Sequence, residues 1–380
     1  MQHTLDATYM DEALQLGASA LGRTAPNPAV GAVVVNDTHV VGRGWTQPVG
    51  QAHAEIEALG EAGERARDAT LYVTLEPCCH YGRTPPCVDA IIRAGIDRCV
   101  VAVRDPSFAV SGRGIARLQE AGINVEVGLR ESEAIELHAG FFTRLRLGRP
   151  LVRAKYAMSL DGRIATRTGN SKWITGPIAR RHAHVLRDQS DAIVVGAGTV
   201  ARDNPSLTTR LSEEFTGADG VHHPLRIVLD GRGMTSLSAR IYANDLPGTT
   251  LVATTSHAPP AWLDALAVHG VDHIVCGEGP VVDISLLLQD LAQRGMNEVL
   301  VEGGGRILGA FFDAGLVDRV AAFVAPVVIG GLTAPGPVGG AGVERIAEAW
   351  RLEKLRTRAL GNDLLMEGTV STPASTFEES

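Results

Sequence analysis

Residue types that bind soft metals crowd into one short stretch of the chain. Residues 51–95 read QAHAEIEALGEAGERARDATLYVTLEPCCHYGRTPPCVDAIIRAG and hold His53, Glu55, Cys78, Cys79 and Cys87. Three of the five cysteines are here. Two thiolates and an imidazole are donors that Zn2+ prefers, and three protein ligands leave a fourth position open. The expected ligands are His53, Cys78 and Cys87. Glu55 then gains a role, because a carboxylate beside a zinc-bound water takes a proton and delivers it to a leaving group. A closed structural site with Cys79 as fourth ligand is an alternative that leaves Glu55 idle. Unligated core thiols are another, and Cys99 and Cys276 fit that description.

Such a set needs a rigid frame. TYMDEALQLGASALG has helical spacing of apolar residues, and AVGAVVVNDTHVVGRGW reads as strand, turn, strand. AHAEIEALGEAG is a helix closed by glycine, which puts His53 one turn inside it. ATLYVTLEP is a buried strand ended by proline. PPCVDAIIRAG is a short helix with proline at its start, so the helix dipole would favour the Cys87 thiolate. RCVVAVRDP and INVEVGL are strands, and GRGIARLQEAG and ESEAIELHAGFFTRLR are helices. This alternation predicts a three-layer α/β domain over residues 1–147 with a largely buried sheet. RLRLGRPLVR marks a joint near residue 148. A second α/β pattern follows over 148–371, with strands DAIVVGA, LRIVLD, TTLVATT, HIVCG, EVLVEGG and VAAFVAPVVIG. Residues 372–380 form a polar tail.

Composition bounds the function. The chain has 380 residues, 45% of them apolar and 21% charged, with net charge −8. That is enough for two cores and argues against nucleic acid as a partner. No apolar run reaches 18 residues, so no membrane span is expected. Acids in the first residues argue against a signal peptide. An odd, uneven set of cysteines suits a reducing cytoplasm.

H-x-E followed by P-C-x-x-C is a deaminase signature. HAE and Pro77-Cys78 match it, but the second cysteine comes nine residues on rather than three. PNPAVGAVVV, HAEIEAL and YVTLEPCCHYGRTPPC together resemble the deaminase half of the bifunctional riboflavin-biosynthesis deaminase–reductases, whose insertion CHYGRTPP accounts for the wide spacing. The position of Cys79 is commonly serine in that family. The resemblance covers nearly the whole chain. It implies a cytidine-deaminase-like first domain acting on a diaminopyrimidinone that carries a phosphoribosylamino group. Glu55 would be the proton carrier. Asn27, His80 and Arg83 would contact substrate, although Asn27 reads equally as a turn residue and Arg83 as a loop charge.

The second half carries its own signals. Residues 151–210 hold ten Lys or Arg against four Asp or Glu, about +6 in an acidic chain, which suits an anionic ligand or a solvated basic face. EVLVEGGGRILGAFF reads as strand, glycine turn and helix, a possible phosphate cradle or merely a tight turn. SLDGRIA, SKWITG, GAGTVARDNPSLTTR and VEGGGRILGAFF resemble the reductase half of the same family. This implies a dihydrofolate-reductase-like fold and NADPH. Cofactor contacts would fall on Ala157, Trp173, Thr199, Asp203, Gly231 and the run Gly304, Gly305, Arg306, Ile307, Leu308, Gly309 and Ala310. Substrate contacts would fall on Ser171, Arg187, Leu207, Arg210 and Glu302, with Arg187 and Arg210 suited to a phosphate. The resemblance also implies a homodimer or homotetramer. A deaminase fused to a reductase of another phosphorylated or pterin-like substrate, and a zinc-stabilised sensor without turnover, are the competing readings; the glutamate of HAE argues against the sensor.

Overall fold

The computed structural model describes residues 2–82, 85–107, 110–215 and 220–371. They fall into two compact units, one running to Arg149, the other built from Pro150–Phe215 and the chain from Val221 on.

In the first unit, strands β1 (Gly31–Asn36), β2 (His39–Trp45), β3 (Thr70–Val73), β4 (Arg98–Val101) and β5 (Asn124–Val127) form a sheet in the order β2-β1-β3-β4-β5. β1 is antiparallel to β2 and β3, while β3, β4 and β5 are parallel. The helices are α1 (Gln2–Ser19), α2 (Ala54–Ala62), α3 (Cys87–Ala94), α4 (Arg113–Glu120), α5 (Glu131–Leu137) and α6 (Ala139–Leu147). Glycines set the layers. A Cβ on Gly31 would overlap the carbonyl oxygen of Ala13 in α1, and one on Gly44 would overlap that of Ala54 in α2. Gly44 pairs with Ala32, the neighbour of Gly31, so the two glycines lie on opposite faces. Helices therefore cover both faces, as a three-layer unit requires.

Two expectations change here. β5 is mostly exposed, because it forms the edge of the sheet. The single helix expected over ESEAIELHAGFFTRLR is two, broken at His138, whose Nε2 lies 3.2 Å from Thr74 Oγ1 and 3.3 Å from its carbonyl oxygen.

The second unit is a nine-stranded sheet of β6 (Leu151–Ser159), β7 (Ala192–Gly196), β8 (Leu225–Leu229), β9 (Thr250–Thr254), β10 (Asp272–Val275), β11 (Glu298–Val301), β12 (Arg319–Ala325), β13 (Arg351–Leu360) and β14 (Asp363–Ser371). Their order is β10-β9-β8-β7-β11-β6-β12-β14-β13. All neighbours are parallel up to β12, and β14 and β13 are added antiparallel. Its helices are α7 (Pro177–Asp188), α8 (Ala197–Asp203), α9 (Pro260–Val268), α10 (Ile284–Gln293) and α11 (Gly305–Asp313). Successive residues of β7 enter different cores, Ala192 and Val194 in one, Ile193 and Val195 in the other, so both faces are covered. β13 has no hydrophobic pattern to announce it. Arg351, Lys354, Arg356 and Arg358 are exposed along it, and a register shift between Glu353 and Arg356 interrupts its pairing with β14. Among the described residues no helix is long and apolar enough to cross a membrane.

Candidate active sites

The first site lies where α2 and α3 begin. His53 is not inside α2 but caps it, with extended backbone (φ −80°, ψ 163°). This matters, because residues two apart on a helix point about 200° away from each other. With His53 outside the helix and Glu55 within it, both turn toward the same point. Gly42 and Gly44 allow α2 to lie directly on β2 and so fix that point against the sheet. Cys87 is the first residue of α3.

The donor atoms of His53, Cys78 and Cys87 lie within 4.8 Å of one another. His53 Nδ1 is 3.3 Å from Cys87 Sγ and 3.7 Å from Cys78 Sγ. The Cys78 thiol is pulled down to about 4, chiefly by a hydrogen bond from the Cys87 thiol and further by His53. The Cys87 thiol is pushed up by that same bond and by burial. The backbone N–H of Cys87 at the helix start donates to Cys78 Sγ (3.3 Å), so the helix end expected to favour the Cys87 thiolate also favours that of Cys78. Donor types and spacing fit a zinc ion, whose charge would replace the proton shared by the two sulfurs.

Glu55 is 4% exposed. Burial, and then the Cys78 charge, raise its carboxyl to about 7. A cleft of about 400 Å3 opens on this cluster and is lined by Asn27, His53, Glu55, Cys78 and His80, with Phe141 and Arg144 from α6. Arg83 lies outside the described residues. Cys79 packs against the apolar core, and burial raises its thiol. Cys99 and Cys276 are buried, as expected of core residues.

The second site lies at the carboxyl ends of adjacent parallel strands, where open α/β sheets bind ligands. β11 runs between β7 and β6, and Val301 pairs with Ala154. The next pair in register is Glu302 beside Lys155, with Nζ 3.5 Å from Oε2. Arg187 of α7 grips the same carboxylate through Nε and Nη2, both at 2.8 Å, and gives Nη1 to the Thr208 carbonyl (3.1 Å). Burial opposes the charge on Glu302, but Arg187 and Lys155 outweigh it and hold the carboxyl far below its usual range. Arg187, expected at a phosphate, has its Nε and Nη2 engaged with Glu302. Arg210 is exposed.

A cleft of about 270 Å3 is lined here by Lys155, Ala157, Ser171, Trp173, Thr199, Asp203, Glu302 and Gly304, with Arg180 and Arg202. Trp173 is 69% exposed, with the Arg180 guanidinium 4.6 Å above its ring. A Cβ on Gly304 would meet only Thr199 Oγ1, at 3.9 Å, so this turn is open on its cleft side. Small residues beside an exposed aromatic and a helix start suit a nicotinamide dinucleotide. Only part of the expected contact run lines this cleft. Leu308 is fully buried, and Gly309 lies under the backbone of Gly339, which a Cβ would overlap. Gly305, Arg306, Ile307 and Ala310 are not in the cleft lining either. Gly231 faces Pro280, and buried Leu207 and exposed Arg210 also lie outside the lining. Sequence reasoning missed Lys155. No local motif announces it, and only the register of two strands 147 residues apart puts it beside Glu302.

A soft-donor trio with a buried carboxylate on one α/β unit, and a cation-held carboxylate at the strand ends of another, define a two-site enzyme of the deaminase–reductase class. The family description "cytidine and deoxycytidylate deaminase zinc-binding region" matches residues 3–103, and "RibD C-terminal domain" matches 150–366. The chain is 42% identical to riboflavin biosynthesis protein RibD of Aquifex aeolicus, covering 96% of this chain and 99% of that protein. It is 41% identical to the Escherichia coli RibD over 95% and 98%. The solved structure of Acinetobacter baumannii RibD, form 1, superposes with a TM-score of 0.86 at 38% identity, covering 97% and 100%. A Thermotoga maritima diaminohydroxyphosphoribosylaminopyrimidine deaminase/5-amino-6-(5-phosphoribosylamino)uracil reductase does so with 0.84 at 34%, covering 98% and 100%. The chain belongs to the RibD family of bifunctional riboflavin-biosynthesis enzymes, with a zinc-dependent deaminase and an NADPH-dependent reductase.

Proposed function

We propose that residues 1–147 deaminate a diaminohydroxypyrimidine bearing a phosphoribosylamino group, and that residues 148–371 then reduce its ribosyl group to ribityl. The observation that carries this reading is the pairing of buried Glu55 with the His53, Cys78 and Cys87 donors in one unit, and of Lys155, Glu302 and Arg187 in the other.

In the first site His53, Cys78 and Cys87 would hold zinc, which when bound supplies a water acidic enough to attack near neutral pH. Glu55 does the proton work. Burial leaves its carboxyl able both to accept and to release a proton near neutrality. It takes one proton from the attacking water and gives it to the ring nitrogen, where it stays, then carries the second proton, from the new hydroxyl, to the amine, which departs as ammonia. Asn27 and His80, which line the cleft, would contact the substrate, and the family resemblance adds Arg83 to them.

In the second site NADPH when bound supplies the hydride. Ala157, Trp173, Thr199, Asp203 and Gly304 would cradle it. Arg187 fixes the orientation of Glu302, which accepts hydrogen bonds from sugar hydroxyls. Lys155 adds a positive charge beside that carboxylate in the lining of the same cleft. Ser171 contacts the substrate, and Arg210 takes its phosphate. Cytoplasmic location and a homo-oligomeric state accompany this reading, supported by the cysteine usage and the family.

The test is ammonia release from the phosphorylated diaminopyrimidine, with and without NADPH. Release should be independent of NADPH, while NADPH oxidation should require the deaminated product. No ammonia from the zinc-loaded chain would sink the proposal.

A further inference from the structure

Glu76 takes no part in the chemistry above, yet its carboxylate is buried and surrounded by backbone donors. Oε1 accepts from the N–H groups of Gly114 (3.0 Å) and Ile115 (3.2 Å). Oε2 accepts from Gly112 (3.0 Å) and Asp105 (3.3 Å). Gly112 caps α4, and Gly114 and Ile115 stand in its first turn, where N–H groups have no partner within the helix. Negative charge is favoured at that end. Asp105, with Ser107 and Val110, forms a wall of the first cleft.

One carboxylate thus joins the chain leaving β3, the start of α4 and the wall of the cleft. Gly114 closes the joint, for a Cβ there would overlap the Pro77 carbonyl oxygen and press on Glu76. Cys78 is next in the chain. On its other side it is held by α3, whose Cys87 and Val88 N–H groups donate to its sulfur and carbonyl oxygen (3.3 and 3.2 Å). A carboxylate has about four acceptor sites, and four donors occupy those of Glu76. Although it lines the cleft, it has no acceptor site left for a substrate.

We propose that Glu76 is the positioning residue of the metal loop, holding Cys78 in place for His53 and Cys87 and binding that loop to the substrate wall. The proposal rests on the reading of those three residues as zinc ligands. Zinc sites tolerate only a few tenths of an ångström of ligand displacement, and residues that orient ligands change metal affinity by about 10- to 100-fold.

The experiment uses the full-length, zinc-loaded chain and Glu76→Gln. The amide keeps the shape but turns an NH2 toward two backbone N–H donors. Transfer of zinc to a chelating dye should become about tenfold faster or more, and kcat/KM for ammonia release should fall with it. NADPH oxidation with the deaminated intermediate should stay at the parent rate and so report that the change is confined to the first unit. Gly114→Ala keeps the carboxylate but displaces Pro77, and it should speed zinc transfer as well. Parent-rate zinc transfer in Glu76→Gln overturns the proposal, even if its melting temperature drops, because the residue would then serve stability alone. If Glu76→Gln cannot be loaded with zinc while its reductase still works, Gly114→Ala decides: faster transfer supports the proposal and the parent rate overturns it. Full zinc retention in Cys78→Ser is a different failure. It refutes the ligand reading itself and takes this proposal with it.

Discussion

The two sites are assembled on different length scales. The donors of the first come from residues 34 or fewer apart in sequence, around one strand and the starts of two helices. The second joins Lys155 to Glu302 across 147 residues and Arg187 to Glu302 across 115. A zinc site needs particular atoms at fixed distances, and a compact motif delivers them. A charge-stabilised carboxylate needs only cations nearby, and a parallel sheet can bring those from any strand. The first site is therefore a motif and the second a register.

Replacing the proton carrier tests the local site most severely. Glu55→Gln should keep one zinc per chain and lower ammonia release by about 10²–10⁴-fold or more, with NADPH oxidation of the deaminated intermediate unchanged. Joint loss of both activities in a folded, zinc-loaded chain would contradict the separation of the sites.

The second site should couple chemistry to stability as the first does not. Arg187 and Glu302 side chains are only 13% and 8% exposed. Glu302→Gln leaves Arg187 and Lys155 without a counter-charge, a loss that typically costs about 3–5 kcal/mol. Reductase activity should vanish and the urea midpoint of the second unit should fall, while ammonia release holds. An unchanged midpoint would mean that the cluster is not a single electrostatic unit.

The motif also leans on one distant prop. His138 is buried against Thr74, and burial lowers its pKa from 6.5 to about 4. The folded state therefore favours the neutral ring. That share of stability is complete above pH 6.5 and is lost as pH falls toward 4, at most about 3 kcal/mol. Glu55, raised to about 7, acts in the opposite sense over the same range, so the test is a difference: in urea titrations between about pH 7.5 and 4.5 the parent should lose stability relative to His138→Gln as pH falls.

Arg210→Ala should lower kcat/KM for the phosphorylated reductase substrate by about 10- to 100-fold, as expected for one charge-assisted contact. A dephosphorylated substrate should lose little. Equal losses on both would return Arg210 to the solvated basic face.

The smallest effect is expected at Cys79→Ser, which should retain full zinc and near-parent deamination, because Cys79 packs on the core rather than joining the donor cluster. Loss of metal would make Cys79 a ligand.

Spacing and residue type were enough to nominate His53, Glu55, Cys78 and Cys87 and to lay out alternating α/β units, because hydrophobic periodicity and helix punctuation are local properties of a chain. The same reading put His53 inside a helix and favoured the Cys87 thiolate. Those depend on where α2 begins and on which sulfur the N–H of Cys87 meets, and packing decides both. β13 stayed hidden because pairing with β14, rather than an apolar stripe, makes it a strand. Arg187 read as a phosphate clamp because a basic run shows only its net charge. The register of β6 against β11, together with the placement of α7, brought Glu302 between Arg187 and Lys155, and that counter-charge lies more than a hundred residues away in the chain.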